Sequence, residues 1–419
     1  MSQKLFFKIS TALRDLGGQV IALFFVIFLA DLVFGFFVSS FSIYARLAGM
    51  TLLLLGAVST LSGFLQLGAA LPIGLLSDRI GRPILIMAGI AALTLGMLIM
   101  AGSTSTPLLI LSLVLNGLGG IAVFQIGYAY LGDITTPAQR PLGFGLITTS
   151  MALGFGLGPY CGGIIIDRYG YRSAYYTGVA VGLVTLMVAL AYLRKYPSSG
   201  QRLTTSGLLS GVRLMTGQPN LRLVAFGNML IGMTFAGTLS TFLPLYGKEL
   251  QLTQAAIGSM FAMRASVSAV GRITSSLFAR RVDHLYVMTA ALFIIAAATF
   301  GVGTTASRSV ITAFLSIEGL AYGGFMVAGL TYVANHTTAE NRGGAGGVYA
   351  MASGVGASVS PWILGIVAER WGLRAVFLAT GAALSVGVLI FACGVLSLRA
   401  AKRVPSMNEV MPNDGLPEV

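Results

Sequence analysis

The chain has 419 residues, of which 56% are apolar and only 9% are charged, and its mean hydropathy is +0.86. A soluble domain of this length cannot bury so much apolar surface, so the composition excludes a water-soluble protein and indicates a membrane protein. The net charge of +13 is scattered over short loops and forms no basic cluster, which excludes nucleic acid as an expected partner.

Twelve apolar spans, numbered 1 to 12 from here on, follow one another along the chain. Each is long enough to cross a hydrocarbon core about 30 Å thick, so the sequence predicts an all-α membrane protein with 12 transmembrane helices. Their approximate bounds are 20–43, 51–76, 84–102, 107–131, 142–166, 173–193, 223–246, 254–279, 285–306, 309–333, 344–367 and 373–397.

A single spacing relates the first six spans to the last six. Gly154 matches Gly356 and Arg172 matches Arg374, and both pairs are 202 positions apart (356 − 154 = 202). One offset over most of the chain indicates a duplicated half instead of a short-period repeat. In an apolar chain, two parallel halves are typical of a transporter whose site lies between them. We therefore expect two pseudo-symmetric six-helix bundles around a central cavity.

The repeat also predicts how the chain is organised. We expect the N-terminal bundle at 1–193 and the C-terminal bundle at 223–399, joined by a cytoplasmic loop at 194–222 and followed by a disordered tail at 400–419. Most Lys and Arg residues of the loops fall on the side of both termini, which favours cytoplasmic termini. Residues 1–18 are basic and amphipathic without a cleavable signal, so we expect a multi-pass protein of the inner membrane.

A charged turn separates spans 2 and 3. Residues 74–83 read GLLSDRIGRP, with the tight turn at Gly81 and opposite charges at the helix ends. Asp78 can stabilise a helix N-terminus, and Arg79 can reach Asp133 at the end of span 4. The alternative interpretation is a solvated basic turn that has no part in gating.

This turn resembles the loop signature GxxxDRxGRR of the major facilitator superfamily, with Pro83 in place of the last basic residue. The resemblance extends over nearly the whole chain at the level of the fold. It implies that the charged residues of this region lock the cytoplasmic side and release it during the inward swing. These gating candidates are Asp78, Arg79, Arg82 and Asp133.

Span 5 carries a dense group of small residues: Gly154, Gly158, Pro159, Gly162 and Gly163. Small residues let two backbones approach closely, and a proline kinks a helix. The group resembles the antiporter signature found mainly in drug/proton exporters of the same superfamily. The resemblance implies a gating role for Gly154, Gly158 and Pro159; the alternative is a helix–helix seam alone.

One signature of these exporters is missing from span 4. They usually carry an arginine three residues before a Gln-Gly pair, whereas this chain has Leu113 at the arginine position and Asn116-Gly117 as the pair. The resemblance is therefore specific for the superfamily and suggestive for the 12-span drug/proton antiporter branch.

Four ionisable residues lie well inside spans: Asp31, Arg264, Arg272 and Glu318. Each costs at least ~2.5 kcal/mol at the bilayer centre, so a functional role is the first hypothesis. A carboxylate in low-dielectric surroundings takes up a proton more readily than in water, and a nearby arginine opposes this uptake. We therefore predict that Asp31, Glu318 and Arg264 couple transport to protons. The alternative is a permanent structural ion pair, and for Arg272 we favour a structural role.

Polar and aromatic residues accompany these charges. Glu318, Tyr322 and Phe325 share one face of span 10 by their i, i+4, i+7 spacing. Such a mixture suits a lipophilic or cationic solute, although an aromatic stripe also serves plain helix packing. The predicted substrate contacts are Phe34, Asn116, Gln125, Asn228, Phe235, Tyr322 and Phe325.

These features predict a secondary active transporter that exports small lipophilic or cationic compounds in exchange for protons by alternating access. A proton-coupled symporter or exporter of a specific metabolite, such as a sugar, organic acid or lipid, fits the same charges. A membrane sensor or scaffold is a further alternative, with little support from the short loops. We expect no enzymatic activity, no cofactor, no metal and no direct use of ATP, because no nucleophile–base set, metal cluster or nucleotide-binding loop occurs in the sequence. The expected partners are a small-molecule substrate, protons and lipid, and we expect a monomer.

Overall fold

A computed structural model describes residues 17–136, 139–193, 205–278, 282–338 and 341–403. Nearly all of these residues are helical. In chain order the helices are Gly17–Leu47 (span 1), Leu52–Ile80 (span 2), Arg82–Gly102 (span 3), Thr106–Ile134 (span 4), Arg140–Tyr192 (spans 5 and 6), Thr205–Gly217, Pro219–Gly232, Met233–Leu239 and Ser240–Glu249 (together span 7), Gln254–Phe278 (span 8), His284–Thr304 (span 9), Arg308–Asn335 (span 10) and Arg342–Arg403 (spans 11 and 12).

The described residues contain eleven of the predicted spans in full and span 8 up to Phe278. Among these residues, nine helical segments are long and apolar enough to cross a membrane. Two of them change direction at a glycine with positive φ, Gly170 (φ 81°) and Gly372 (φ 82°), so that each supplies two spans. The twelfth span is Gln254–Phe278, which is less apolar because it carries Arg264 and Arg272.

The predicted duplication is confirmed by contacts that recur at the same offset. Arg172 donates from Nε to the carbonyl oxygen of Ala101 over 3.0 Å, and Arg374 donates from Nε to that of Gly303 over 2.6 Å. Donors and acceptors are both shifted by the repeat spacing. Since each arginine ties the 5–6 or 11–12 turn to the end of span 3 or 9, both halves close this end in the same way.

Glycine lets the helices of each half cross closely. A Cβ on Gly158 would lie 2.2 Å from the carbonyl oxygen of Leu32, where span 5 crosses span 1. The repeat-related crossing joins span 11 to span 7, where a Cβ on Gly356 would lie 2.0 Å from the carbonyl oxygen of Met229. Side chains larger than hydrogen would push these helices apart.

The segment between the halves, predicted to be a loop, contains the helix Thr205–Gly217, and span 7 starts at Pro219. Leu214 and Met215 pack on the core of the C-terminal half, which gives the helix an apolar face to bury. A Cβ on Gly211 would lie 2.3 Å from the backbone of Gly344, so the helix also touches the start of span 11.

Three predicted segments lie wholly or partly outside the described residues, namely the start of the chain, the first part of the linker and the tail beyond Arg403. The side of the membrane that holds the linker and the 2–3 turn is called the linker side below. The opposite side, with the 1–2, 5–6, 7–8 and 11–12 turns, is called the far side.

Candidate functional site

A cavity of about 820 Å³ lies between the two halves. Its wall comes mainly from spans 1, 2, 4, 7 and 11. It runs from Leu55 and Pro361 near the far side to Leu71 and Gly343, both near the linker side. Leu55 and Pro361 are buried, whereas Leu71 and Met351, which line the cavity toward the linker side, are exposed, so the cavity is closed toward the far side and open toward the linker side.

Two carboxylates close the far side, one from each half. Asp167 accepts hydrogen bonds from the backbone N–H groups of Gln254 and Ala255, each over 2.9 Å, at the start of span 8. Glu369 accepts from Leu52 over 3.0 Å, at the start of span 2. A carboxylate at a helix N-terminus satisfies free N–H groups and is favoured by the helix dipole. These bonds join opposite halves, so we call the pair the far-side latch.

The sequence prediction assigned the latch residues no role. Asp167 and Glu369 are related by the repeat offset, and so are the amides that they bind at spans 8 and 2. An acidic residue kept at the same place in both halves was the available signal. Sequence alone could not say that each carboxylate crosses to the other half.

Glycines line the same interface between the halves. A Cβ on Gly258 of span 8 would lie 2.2 Å from the carbonyl oxygen of Pro159, and one on Gly163 would lie 2.5 Å from that of Gln254. Across the other crossing, a Cβ on Gly56 would lie 2.3 Å from the carbonyl oxygen of Pro361. Spans 5 and 8, and likewise spans 2 and 11, are thus in backbone contact near the far side.

The glycine group of span 5 has two faces. Gly154 and Gly158 face the backbone of span 1, and a Cβ on Gly162 would lie 1.9 Å from the Phe36 ring. Gly163 faces span 8 instead. The same short segment therefore holds span 1 within its own half and contacts the opposite half, so it is both a packing seam and part of the interface between the halves.

At the 2–3 turn the structure corrects one predicted contact. Arg82, and not Arg79, forms the ion pair with Asp133, and it also lies 3.4 Å from a carboxylate oxygen of Asp78. Gly81 turns the chain at φ 107°, which places Arg82 in the first turn of span 3, beside the end of span 4. Arg79 ends span 2 on its exposed face.

A bidentate ion pair is buried in the C-terminal half. The guanidinium of Arg264 donates to both carboxylate oxygens of Glu318, with an Nη2–Oε1 distance of 2.9 Å. The residues are 4% and 2% exposed. The guanidinium also lies over the rings of Phe235, 4.6 Å from its centroid, and Tyr322, 4.9 Å away. Charge-assisted bonds and ring contacts together stabilise the buried charge.

Phe235 belongs to a π-helical stretch, Met233–Leu239, in the middle of span 7. Widened turns of this kind are frequent at functional sites. Hydroxyl groups satisfy its backbone: Ser240 donates to the carbonyl oxygen of Phe235 over 3.0 Å, and Thr241 donates to that of Ala236 over 3.2 Å. The stretch turns the Phe235 ring toward the ion pair while the ring also lines the cavity.

Asp31 is buried where span 1 crosses span 5. A Cβ on Gly154 would lie 2.9 Å from the Asp31 Cβ, and the carboxyl group lies at the backbone amide of Phe155. None of the ion pairs found in the described part of the chain includes Asp31. The sequence allowed Arg264 to pair with Asp31 or Glu318; the structure pairs it with Glu318.

Arg272 lies two turns from Arg264, toward the linker side. It lines a smaller cavity of about 220 Å³ between spans 5 and 8, together with Thr148 and Thr149. Its Nε atom is buried and has no hydrogen-bond partner among the described residues.

Four of the seven predicted substrate contacts line the cavity: Phe34, Asn116, Gln125 and Phe235. Asn116 belongs to the wall but is fully buried, and its Nδ2 donates to the carbonyl oxygen of Ser112 over 3.0 Å. Gln125 is exposed and donates weakly to Ala70, over 3.4 Å.

The other three predicted contacts lie outside the cavity wall. Asn228 donates to the carbonyl oxygen of Tyr349 over 2.7 Å, Phe325 is buried in the core of the C-terminal half, and Tyr322 lies against Arg264. The rotation of spans 7 and 10 turns these side chains into the half. Periodicity finds a shared helix face but does not tell which neighbour that face meets.

Gln66 lines the cavity and was not predicted. It stands one turn from Ser62, to whose Oγ it donates over 3.2 Å. An amide in the middle of an apolar span was a usable signal, although a weaker one than the charged residues gave.

The twelve spans of the described residues, arranged as two repeat-related halves around a cavity open to one side, are typical of a secondary transporter. A model of the Major Facilitator Superfamily matches residues 23–317 and, in a second match, residues 224–409. The chain therefore belongs to the Major Facilitator Superfamily, as its turn and span 5 motifs predicted. It is a multi-pass membrane protein, and the family to which it belongs is one of transporters and not of enzymes.

Two curated relatives share parts of the sequence. The "Inner membrane transport protein YajR" of Escherichia coli is 31% identical over 205 residues, which are 48% of this chain and 43% of that protein. A "Multidrug resistance protein B homolog" of Mycobacterium tuberculosis is 31% identical over 153 residues, which are 36% of this chain and 28% of that protein. The chain thus spans less than half the length of either relative.

A solved structure, that of the nucleoside transporter NupG, superposes with a TM-score of 0.75. It is 16% identical, and the match covers 90% of this chain and 99% of that one. At this identity the likeness extends to the fold alone.

Proposed function

We propose that this transporter exports small lipophilic compounds in exchange for protons, with its linker side in the cytoplasm of a bacterial inner membrane. The observation that carries the proposal is the buried Arg264–Glu318 pair, whose guanidinium lies over the Phe235 ring of the cavity wall. The name of the M. tuberculosis relative, a multidrug resistance protein homologue, supports export. One chain supplies both walls of the cavity, which supports a monomer.

Glu318 is the central proton carrier in this proposal. While its carboxylate is ionised, Arg264 holds it by two hydrogen bonds. Protonation removes the negative charge and leaves Arg264 as an uncompensated buried cation, a state that costs several kcal/mol. Proton uptake therefore favours a different arrangement of spans 8 and 10. A substrate that displaces Phe235 also disturbs the guanidinium, so that substrate and proton act on the same pair.

Asp31 is the second carrier. It lies against Gly154, where span 1 crosses span 5 within the N-terminal half. A charge at this crossing is costly without a partner, whereas the protonated acid packs between the two helices as a neutral group. Its protonation state therefore bears on how span 1 sits against span 5.

Alternating access uses the two ends of the same interface. With the linker side in the cytoplasm, the structure is inward-facing and its far side is held by the latch. The outward-facing state requires Asp167 and Glu369 to release the helix N-termini that they cap. In that state the cytoplasmic side is closed. The ion pairs of Arg82 with Asp78 and with Asp133, at the end of span 4, then lie at the closed side. The close glycine contacts between the halves at Gly56, Gly163 and Gly258 serve as pivots.

The test uses purified protein in liposomes that contain a pH-sensitive dye. Uptake of an added lipophilic substrate, driven by an acidic lumen, raises the pH of the lumen if protons leave as substrate enters. A substrate-dependent fall in lumen pH would instead favour the alternative of a proton-coupled symporter. Asp31→Asn and Glu318→Gln should each abolish the pH change, reducing coupled flux by about 100-fold or more. Full coupled transport by both single variants would refute the proposed carriers.

A further inference from the structure

The wall of the cavity is mostly apolar, and its few polar groups are uncharged. Among the described residues that line it, none carries a formal charge; its polar groups are amides and hydroxyls. We propose that the cavity binds an uncharged amphiphile whose hydrogen-bonding group contacts Gln66 and Gln125, and that it discriminates against organic cations. This inference deepens the proposed function and rests on it for the identification of the cavity as the substrate site.

The polar groups are concentrated on the N-terminal half. Ser59, Ser62 and Gln66 follow one face of span 2 at i, i+3 and i+7, and Gln125 is close by on span 4. Gln66 uses one N–H on Ser62, and Gln125 uses one on the carbonyl oxygen of Ala70. Each amide has two N–H groups and a carbonyl oxygen. Both therefore have donor and acceptor capacity left for a ligand.

The opposite wall offers surface for an apolar body. Span 11 lines the cavity mainly with apolar or small residues, namely Ala350, Met351, Gly354 and Ala357, together with the hydroxyl residue Ser358. Small residues leave room, and a methionine adapts to differently shaped apolar groups. A ligand with one hydrogen-bonding edge and one apolar face matches this division between the halves.

An organic cation finds no counter-charge among the described residues of this wall. Burying an unpaired charge is far more costly than burying a hydrogen-bonded neutral group. Both oxygens of Glu318 are bound by Arg264, and the Phe235 ring already interacts with that guanidinium. The Phe235 ring of the wall therefore has a positive charge behind it, which weakens its cation–π attraction for a second cation. Asp31 faces span 5 and does not line the cavity.

The repeat separates recognition from coupling. Ser62 and Gln66 of span 2 correspond to Arg264 and Ser268 of span 8 by the common offset. The face that carries a guanidinium in the C-terminal half carries only neutral groups in the N-terminal half, where it is turned to the cavity. The two copies of one helix face thus hold different chemistry.

Two dyes with the same ring system test the inference. Nile red is uncharged and carries a carbonyl group, whereas Nile blue is a cation at neutral pH. Equilibrium binding to the detergent-purified protein is measured by fluorescence, without a gradient, so that a failure of proton coupling leaves this test intact. We expect Nile red to bind at least ~10-fold more tightly than Nile blue. Equal or tighter binding of Nile blue, or no binding of Nile red, would overturn the inference.

A charge-introducing variant sharpens the result. Gln66→Glu places a carboxylate in the wall and should remove most of the preference, raising Nile blue affinity by about tenfold. Gln66→Leu removes the hydrogen-bonding group and should lower Nile red affinity by about fivefold. Gln251→Glu adds the same charge in the 7–8 turn, outside the cavity, and should change neither affinity. A Gln66→Glu variant that folds and still rejects Nile blue would contradict the assignment of Gln66.

Discussion

The two halves of this transporter differ most at the positions where a duplicated chain should agree. In the C-terminal half, Arg264 and Glu318 form a buried ion pair. The repeat-related positions in the N-terminal half hold Ser62 and Asn116, which are neutral and lie at the cavity wall. Packing positions such as Gly154 and Gly356 kept their chemistry after duplication, whereas these positions near the cavity diverged. The divergence places a buried ion pair next to the cavity in the C-terminal half and neutral hydrogen-bonding groups in the wall of the N-terminal half.

The far side shows the opposite behaviour. Asp167 and Glu369 cap repeat-related helices, and Gly170 and Gly372 turn with φ of 81° and 82°. The contacts that hold this side closed are thus duplicated together with the helices that they hold. Symmetry serves closure, and asymmetry serves recognition and coupling.

The largest expected effect comes from unbalancing the ion pair. Glu318→Gln leaves Arg264 buried without its partner, which should destabilise the protein by about 3–5 kcal/mol. The neutral double variant Arg264→Gln/Glu318→Gln resembles the N-terminal half and should regain most of that stability. Thermal unfolding in detergent measures both, with Glu249→Gln, on an exposed residue of the far side, as the control. Equal loss in the single and double variants would contradict a compensated pair.

The next effect concerns a packing position that differs between the halves. Gly158 of span 5 corresponds to Ser360 of span 11. Gly158→Ser pushes a side chain against the carbonyl oxygen of Leu32 and should cost about 1–3 kcal/mol of unfolding free energy. Gly68→Ser, at a glycine with open space around its Cβ position, is the matched control. If both variants unfold alike, the close crossing of spans 1 and 5 is not required for stability.

Neutralising the latch should shift the balance between conformations. Asp167→Asn with Glu369→Gln weakens the carboxylate–helix interactions, each worth about 0.3–1 kcal/mol and up to ~2 when partly buried. We expect the far-side-open population to rise about tenfold in the double variant and less in either single variant.

Spin labels at Tyr169 and Trp371, both exposed and repeat-related, report the distance between the halves on the far side. The free cysteines Cys161 and Cys393 are first replaced by serine. An unchanged distance distribution in the double variant would show that the latch does not hold this side.

The smallest expected effect, that of Arg79→Gln, is measured against Arg82→Gln in the same 2–3 turn. Arg82→Gln removes the ion pair with Asp133 and should lower stability by about 1–3 kcal/mol. Arg79→Gln alters an exposed side chain and should stay within about 0.5 kcal/mol of the parent protein. Thermal unfolding of the two variants side by side measures the difference. A larger loss of stability in Arg79→Gln than in Arg82→Gln would favour the Arg79–Asp133 contact that the sequence predicted.

Much of the fold could be predicted because hydropathy and one repeat offset determine it. Hydropathy is read from each segment by itself, and the offset is read by comparing the two halves of the sequence. The spans and the correspondence between the first six and the last six could therefore be predicted directly. The partner of a single side chain depends on how each helix is rotated. Asp133 pairs with Arg82 instead of Arg79 because Gly81 turns the chain between them. Asn228 and Phe325 point away from the cavity because they pack within the C-terminal half.

Which spans line the cavity could not be predicted from the sequence either. Spans 8 and 10 carry the ion pair, yet the described residues of the cavity wall come from spans 1, 2, 4, 5, 7 and 11 and from Val212 of the linker. The π-helical turn at Phe235 contributes to this arrangement, and the matching stretch of span 1 stays α-helical.

The most direct test makes the two halves alike. In liposomes with a pH-sensitive dye, Arg264→Gln/Glu318→Gln replaces the ion pair by neutral amides while the N-terminal wall is left unchanged. The account predicts that this variant binds Nile red as the parent protein does and that substrate no longer moves protons. Substrate-dependent proton movement at the parent rate would contradict the claim that the charged pair of the C-terminal half couples transport to protons.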